Sequence, residues 1–392
     1  MPLPDLKTSS QPVRDGYNAW IESLTSNYSI DGLRVDTVLQ VEKSFWDGFV
    51  SAAGGMYMVG EIFQNGADLV CDYQNYLPGV FNYPVYFPLI NAFKSTSGSM
   101  SNLAESIDET KNTCNDISLL GSFSENHDNP RFPAENGDIA AAANVITYTM
   151  VADGIPILYQ GQEQHYDARG GANDPYNREA LWFSGYNTDS QLYKLVANLN
   201  KARKNAIRDD QSFLTTAANV VHTDDTTIAV KKAKLLTVLS NKGSQGDNYT
   251  QSIRSWYQSG SRVTELFSCT ELSVDDQSNI NVPMGDGMPR VYYPSSDLGD
   301  LCRGSVSSST SNVVSSEETS SDSSSSSDSS SEVVSADSSP SSNDSPSRPA
   351  RPARPNRPNR PSRPNRPSRP NRPSRWRAAR PGRRGVAASW QA

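Results

Sequence analysis

The chain is 392 residues long, enough for two domains and a tail. Its charge is segregated: fourteen of its 36 basic residues are arginines within 348–392, a stretch without acids, and residues 1–303 carry 36 acids against 22 bases. Such an acidic body excludes nucleic-acid binding as the main business and suits work on a neutral polymer, and no run reaches the roughly 18 apolar residues of a membrane span.

Residues 1–211 alternate helix-like and strand-like segments. A helical pattern around Ala19-Trp20-Ile21 precedes a strand at Ile30–Asp36. Helix-like 41–53 precedes a strand at Tyr57–Ile62, and a short strand is expected near Val80–Phe81. Residues 84–107 read as irregular to helical before a strand at Ser118–Phe123; the Ala-rich stretch Gly137–Val151 reads as helix, Ile155–Tyr159 as strand and 190–206 as helix. Alternation of this kind implies parallel strands with helices outside. Five strands do not close an eight-stranded barrel.

From 212 to 303 the texture changes to β-rich runs, at Thr226–Lys232, Leu235–Ser240, Val263–Phe267 and Arg290–Tyr293, separated by Gly, Asn and Ser. They predict a small antiparallel sandwich. Residues 304–347 are Ser-dominated with scattered acids, too polar to offset chain entropy, and read as a disordered, O-glycosylated stalk. In 348–392 an Arg recurs every third residue up to Arg375, mostly as Arg-Pro-Asn or Arg-Pro-Ser. Proline at that density favours an extended polyproline tail. An anion-binding arm, a solvated repeat and a repeat translated in the wrong frame all fit it.

The four cysteines form no CxxC pair, which argues against zinc and leaves three connectivities. Pairing Cys71–Cys114 and Cys269–Cys302 keeps each bridge inside one domain. The sequons at Asn27 and Asn248, with an even cysteine count, indicate a secretory route. Met1–Asp5 has neither the basic start nor the apolar run of a signal peptide, so the expectation is a missing N-terminus.

Four blocks carry the chemistry: Gly32-Leu33-Arg34-Val35-Asp36, Val59-Gly60-Glu61, Phe123-Ser124-Glu125-Asn126-His127-Asp128, and Asn173-Asp174 with Arg178. Each of the first three follows an apolar strand and ends in a carboxylate. A carboxylate at the C-terminal end of a barrel strand faces the mouth where reactions occur. Retaining cleavage of a glycosidic bond needs two carboxyls about 5 Å apart, one ionised and one protonated. Arg34 beside Asp36 favours its charged form, and burial of Glu61 after its strand favours the proton. Taken singly, each block also fits a capped strand or a structural histidine, and Tyr159, Trp182 and Tyr186 fit core packing as well as sugar stacking.

Together these blocks, with Tyr28-Ser29-Ile30-Asp31, Asn126-His127-Asp128-Asn129-Pro130-Arg131-Phe132 and Gly161-Gln162-Glu163-Gln164, resemble the α-amylase family of glycoside hydrolases, and within it the secreted fungal α-amylases, across roughly residues 5–303. The resemblance implies an incomplete (β/α)8 TIM barrel, about strands four to eight, followed by an all-β antiparallel sandwich and a disordered tail. It implies endo-cleavage of α-1,4-glucan with retention: Asp36 as nucleophile, Glu61 as acid/base, and Asp128 steadying the distorted sugar. Arg34, His127, Asp174 and Arg178 are implied in substrate binding. Calcium is implied as well, with the backbone carbonyl of Gln40 as the contribution this stretch would make. So are a secreted or cell-surface location, an α-glucan partner and a monomer.

One departure bears on specificity. Starch-degrading fungal members usually carry Lys-His where this chain has Leu39-Gln40, positions that help hold the acceptor sugar. That change, with the Ser-rich stalk, resembles the membrane-anchored fungal 4-α-glucanotransferases acting on cell-wall glucan. Two further readings stand beside the enzyme: a truncated remnant that at most binds glucan, and an adhesin whose basic tail binds anionic wall.

Overall fold

Four of the five barrel strands are shorter than the sequence pattern, and the one expected at Val80–Phe81 lies one residue earlier, at Gly79–Val80. The computed structural model describes residues 5–169, 171 and 173–302. The stalk and the Arg/Pro tail lie outside them.

The first part opens with α1 (Gln11–Tyr28), then β1 (Gly32–Val35), α2 (Trp46–Ala52), β2 (Tyr57–Gly60), α3 (Ala67–Asp72) and β3 (Gly79–Val80). Next come α4 (Tyr83–Phe93), α5 (Met100–Thr113), β4 (Gly121–Phe123), α6 (Phe132–Glu135), α7 (Ile139–Val151), β5 (Ile155–Ile157) and α8 (Gln191–Asp209). All pairings are parallel: β1 with β2, β2 with β3, β4 with β5, and a bridge from Phe81 to Gly121 joins the two groups. The five strands therefore line up in chain order, with their C-terminal ends on one side. This is the TIM-barrel arc the sequence predicts. Among the described residues β1 pairs only with β2 and β5 only with β4, so both edges are open. Gly154, at φ +83°, makes the turn into β5, and a Cβ there would stand 2.2 Å from the Leu120 carbonyl oxygen. Only glycine fits.

The stretch expected to be irregular to helical, 84–107, is two helices. Asn82 caps α4, accepting from the Val85 amide at 3.4 Å, and Ser99 caps α5, accepting from Asn102 at 3.1 Å. Pro84 sits in the first turn of α4, where its missing N–H costs nothing. Asp138 starts α7 by accepting from the Ala140 and Ala141 amides at 2.7 and 3.2 Å. Nearly every residue of α7 is buried, which its mostly apolar sequence permits. In α8, Leu192, Leu195, Leu199, Ala202 and Ala206 form a single buried stripe.

The second part is antiparallel throughout. It comprises β6 (Asn219–Thr223), β7 (Thr227–Lys232), β8 (Leu235–Ser240), β9 (Tyr249–Arg254), β10 (Arg262–Glu265), β11 (Glu271–Ser273), β12 (Asn279–Met284) and β13 (Arg290–Pro294). A six-stranded sheet, in order β11-β10-β13-β8-β7-β6, packs against the pair β12-β9. Between them lie Val238, Ile253, Val263, Ile280, Val282 and Tyr292. The sheet's other face joins α4, α5, α7 and α8 in one core that includes Ile228, Val230, Leu239 and Val291.

Both bridges form as expected: Cys71–Cys114 ties α3 to the end of α5, and Cys269–Cys302 ties the β10–β11 turn to the end of the sandwich. No helix of the described residues is long and apolar enough to cross a membrane.

Candidate active site

Asp36 follows β1 and Glu61 follows β2, so the parallel pairing of Val35 with Gly60 sets the two carboxylates side by side. One guanidinium holds both: Arg34 Nη1 lies 2.5 Å from Asp36 Oδ1, and Nη2 lies 3.2 Å from Glu61 Oε2. Thr37, in a left-handed turn at φ +51°, donates its amide to Glu61 Oε2 at 3.2 Å. The two acids differ in their surroundings. Asp36 is exposed, whereas Glu61 is only 9 % exposed. Burial raises the Glu61 pKa above the ordinary carboxylate range; Thr37 and Arg34 pull it back, and the neighbouring Asp36 carboxyl adds to the rise.

The other side of the cleft is built on the loop after β4. Asn126 organises it: its Oδ1 accepts from the amides of Asp128 and Asn129 at 3.0 and 2.9 Å, and its Nδ2 donates to the Tyr83 hydroxyl at 3.0 Å. Asp128 is held from two directions, by His127 Nε2 at 3.1 Å and by Arg178 Nη2 at 3.0 Å. Arg178 also reaches Asp174 at 3.1 Å and the His127 carbonyl at 3.1 Å. A cleft of about 270 Å³ lies between the two sides, with Arg34, Glu61, Tyr83, Glu125, His127 and Tyr159 in its walls. The sequence-predicted residues thus fall into two groups, Arg34, Asp36 and Glu61, and His127, Asp128, Asp174 and Arg178, of which Arg34, Glu61 and His127 line the cleft. Leu39 and Gln40 form the 3-10 turn after Asp36; Leu39 packs on the core beneath, and Gln40 is exposed.

Sequence reasoning missed the support beneath this surface. Arg131 is fully buried and lies between two carboxylates: its Nη1 is 3.2 Å from Glu125, and its Nε is 2.6 Å from Glu179. Its guanidinium lies 4.5 Å over the Tyr159 ring and 5.3 Å over that of Tyr166. Glu179 turns its second oxygen to the Ala168 amide at 2.7 Å, and buried Asn177 donates to the carbonyls of His127 and Asn129, each at 2.9 Å. These contacts lock the loop after β5, which carries Asp174 and Arg178, onto the loop that carries Asp128. Burial pushes the Glu125 carboxyl up to about 7, against the pull of Arg131. The only signal in the sequence was the pair Glu125 and Arg131 flanking Asp128 in one loop, and spacing alone does not separate that from a surface ion pair.

Residues 1–226 match the model of the alpha amylase catalytic domain, and residues 220–311 match that of the alpha-amylase C domain. The chain belongs to the α-amylase family. It is 41% identical over 300 residues to an alpha-amylase of Saccharomycopsis fibuligera, covering 76% of this chain and 60% of that one. It is 47% identical over 303 residues to alpha-amylase 1 of Lipomyces kononenkoae, covering 76% and 48%. The solved alpha-amylase of Malbranchea cinnamomea superposes with a TM-score of 0.74 at 45% identity, covering 76% of this chain and 63% of that one. The chain thus spans about half to three-fifths of the length of the curated relatives named here.

The calcium that α-amylase family membership implies does not fit these residues. Among the described residues no three His, Cys, Asp or Glu side chains converge on a cation position. The single carbonyl of Gln40 falls far short of the six to eight oxygens calcium takes.

Proposed function

We propose that this chain carries the glucan-cleaving centre of a retaining α-amylase-type hydrolase acting on α-1,4-glucan. The observation that supports it best is the shared Arg34 guanidinium, with an exposed carboxylate on one arm and a buried, proton-retaining one on the other. The Asp36 carboxylate attacks the anomeric carbon while Glu61 passes its proton to the departing glycosidic oxygen. The bond to that oxygen breaks and a glycosyl ester forms on Asp36. Glu61, now ionised, takes a proton from the incoming water, which releases the sugar with its original anomeric configuration. Asp128, held by His127 and Arg178, accepts hydroxyls of the distorted ring, and Asp174 with Arg178 binds the next sugar on the donor side. Two disulfides support a protein made for an oxidising compartment, and we take it to act outside the cell as a monomer.

The test is cleavage of a maltooligosaccharide by the full chain and by Asp36→Asn and Glu61→Gln, with the product anomer followed by NMR. Retention in the parent, with each variant reduced by about 10²- to 10⁴-fold, supports the reading. No turnover, with sugar binding unchanged in Asp36→Asn, makes the chain a glucan-binding remnant.

A second reading has its own observation. Leu39 packs against the core and Gln40 carries no charge, so neither position offers an acceptor sugar a cation. A glucan acceptor in place of water would make the same centre a 4-α-glucanotransferase. Lengthened oligomers rather than maltose and glucose would decide for it.

A further inference from the structure

A second cavity lies away from the candidate cleft. It is a groove of about 910 Å³ between the first turns of α8 and the ends of β9, β12 and β13. That is within the roughly 300–1,000 Å³ of sites that hold a drug-sized ligand. We propose that this groove is the seat of an N-linked glycan carried on Asn248. The inference rests on the secretory route proposed above and is independent of the glucan-cleaving reading.

Three observations carry it. First, both sequon residues, Asn248 and Thr250, line the groove. Tyr249 between them also lines the groove, with its hydroxyl turned inward to 2.9 Å from Thr227 Oγ1 and 3.2 Å from Ser240 Oγ. The period of two along a strand then places Asn248 and Thr250 together on the outer face. Second, the Asn248 carboxamide lies against the groove floor at Gly285, where a Cβ would stand 2.3 Å from its oxygen. A bare glycine leaves the room that carboxamide needs.

Third, the charged groups of the walls already have partners. Glu265 accepts from the Phe267, Ser268 and Val291 amides at 3.0, 2.6 and 3.3 Å. Arg290 donates to the carbonyls of Pro283, Gly285 and Met288 and pairs with Asp286 at 3.1 Å, and Lys194 pairs with Asp189 at 3.1 Å. What remains for a ligand is apolar surface, such as Leu195, Phe267 and Met288, beside the neutral amides and hydroxyls of Asn198 and Thr270. A sugar ring, apolar on its faces and hydroxylated at its rim, matches that mixture, whereas a free ion does not. Such contacts are individually weak, but a tethered chain reaches an effective concentration in the millimolar range, so weak contacts suffice. In the attachment step, Asn248 Nδ2 bonds to the anomeric carbon of an oligosaccharide held on a lipid diphosphate. The sugar–phosphate bond breaks, the lipid diphosphate leaves, and the amide gives up one proton.

The full chain would be secreted from yeast behind a leader. Site occupancy would be read by mass spectrometry, and the rate of endoglycosidase release at each site would be measured on folded and on unfolded protein. Occupancy at Asn248 is expected, with release about tenfold slower from folded than from unfolded protein, the ratio for a chain docked some nine-tenths of the time. At Asn27, exposed on the last turn of α1, any attached glycan should be released at the same rate in both states. Asn248→Gln and Thr250→Ala both remove the glycan, and the second keeps the carboxamide; each should speed amide exchange in 191–198 and 284–290. An unmodified Asn248, equal release from folded and unfolded protein, or unchanged exchange in both variants would overturn the proposal.

Discussion

At the scale of single residues, Arg34 sets two carboxylates against each other. It lowers the proton affinity of Glu61 while burial raises it, and burial wins. In the proposed role of proton donor, Glu61 must be protonated for the first chemical step, so the rate should fall as pH rises through its raised pKa. Arg34→Met removes the one cation on Glu61, and the alkaline limb of the kcat/KM profile is expected to move to higher pH; a limb that stays in place would remove Glu61 from the acid role. Glu125 gives a stability effect of the opposite setting. Its carboxyl holds a proton up to about 7 in the fold against an ordinary 4.5. The fold therefore binds that proton more tightly than the unfolded chain does, and the stabilisation is complete below pH 4.5 and lost as pH rises to about 7. The loss is on the order of 3 kcal/mol. Glu125→Gln should flatten that part of the stability–pH curve in urea titrations at pH 4.5 and 7.5.

At the scale of elements, the strand ends that carry Asp36 and Glu61 were legible because an apolar run closed by a carboxylate reads the same in sequence and in sheet. The pairing of Asp36 with Glu61 follows from parallel register, which the strand–helix alternation already implied. The loop after β5 was not legible beyond Asp174 and Arg178. It has no periodicity and only short 3-10 turns, and its order comes from Arg131, whose partners Glu125 and Glu179 are 6 and 48 residues away. Strands β6, β9, β11 and β12 were missed because their outward positions are polar, so local composition resembles turn. Arg131→Met leaves two carboxylates beside each other without a cation, and removing one partner of a buried pair costs about 3–5 kcal/mol. Hydrogen exchange at Ala168, whose amide is held by Glu179, should accelerate. KM should rise most for substrates long enough to reach Asp174 and Arg178. Arg131→Lys keeps the charge but cannot serve both carboxylates at once, and so should restore stability more than KM.

At the scale of the whole molecule, sequence texture divides the chain near residue 212, but the packing crosses that line. Ile228, Val230, Leu239 and Val291 of the sandwich share one core with α4, α5, α7 and α8. Polar contacts cross it too. Buried Asn144 on α7 donates to the Gly287 carbonyl at 2.7 Å and accepts from the Ser240 amide at 3.0 Å. Lys232 on β7, almost wholly buried, pairs with Asp153 and donates to the Thr216 carbonyl. Texture responds to local repeats, whereas cooperativity responds to the area buried between parts, which is why the two divide the chain differently. The sandwich and the barrel arc should therefore melt together, as a single calorimetric transition whose van't Hoff and calorimetric enthalpies agree. Lys232→Met leaves Asp153 buried without its cation and should lower that one transition as a whole. Two separate transitions, or a shift of only one of them, would show that the parts are joined but independent, and the shared core would then contribute little to holding the catalytic strands in place.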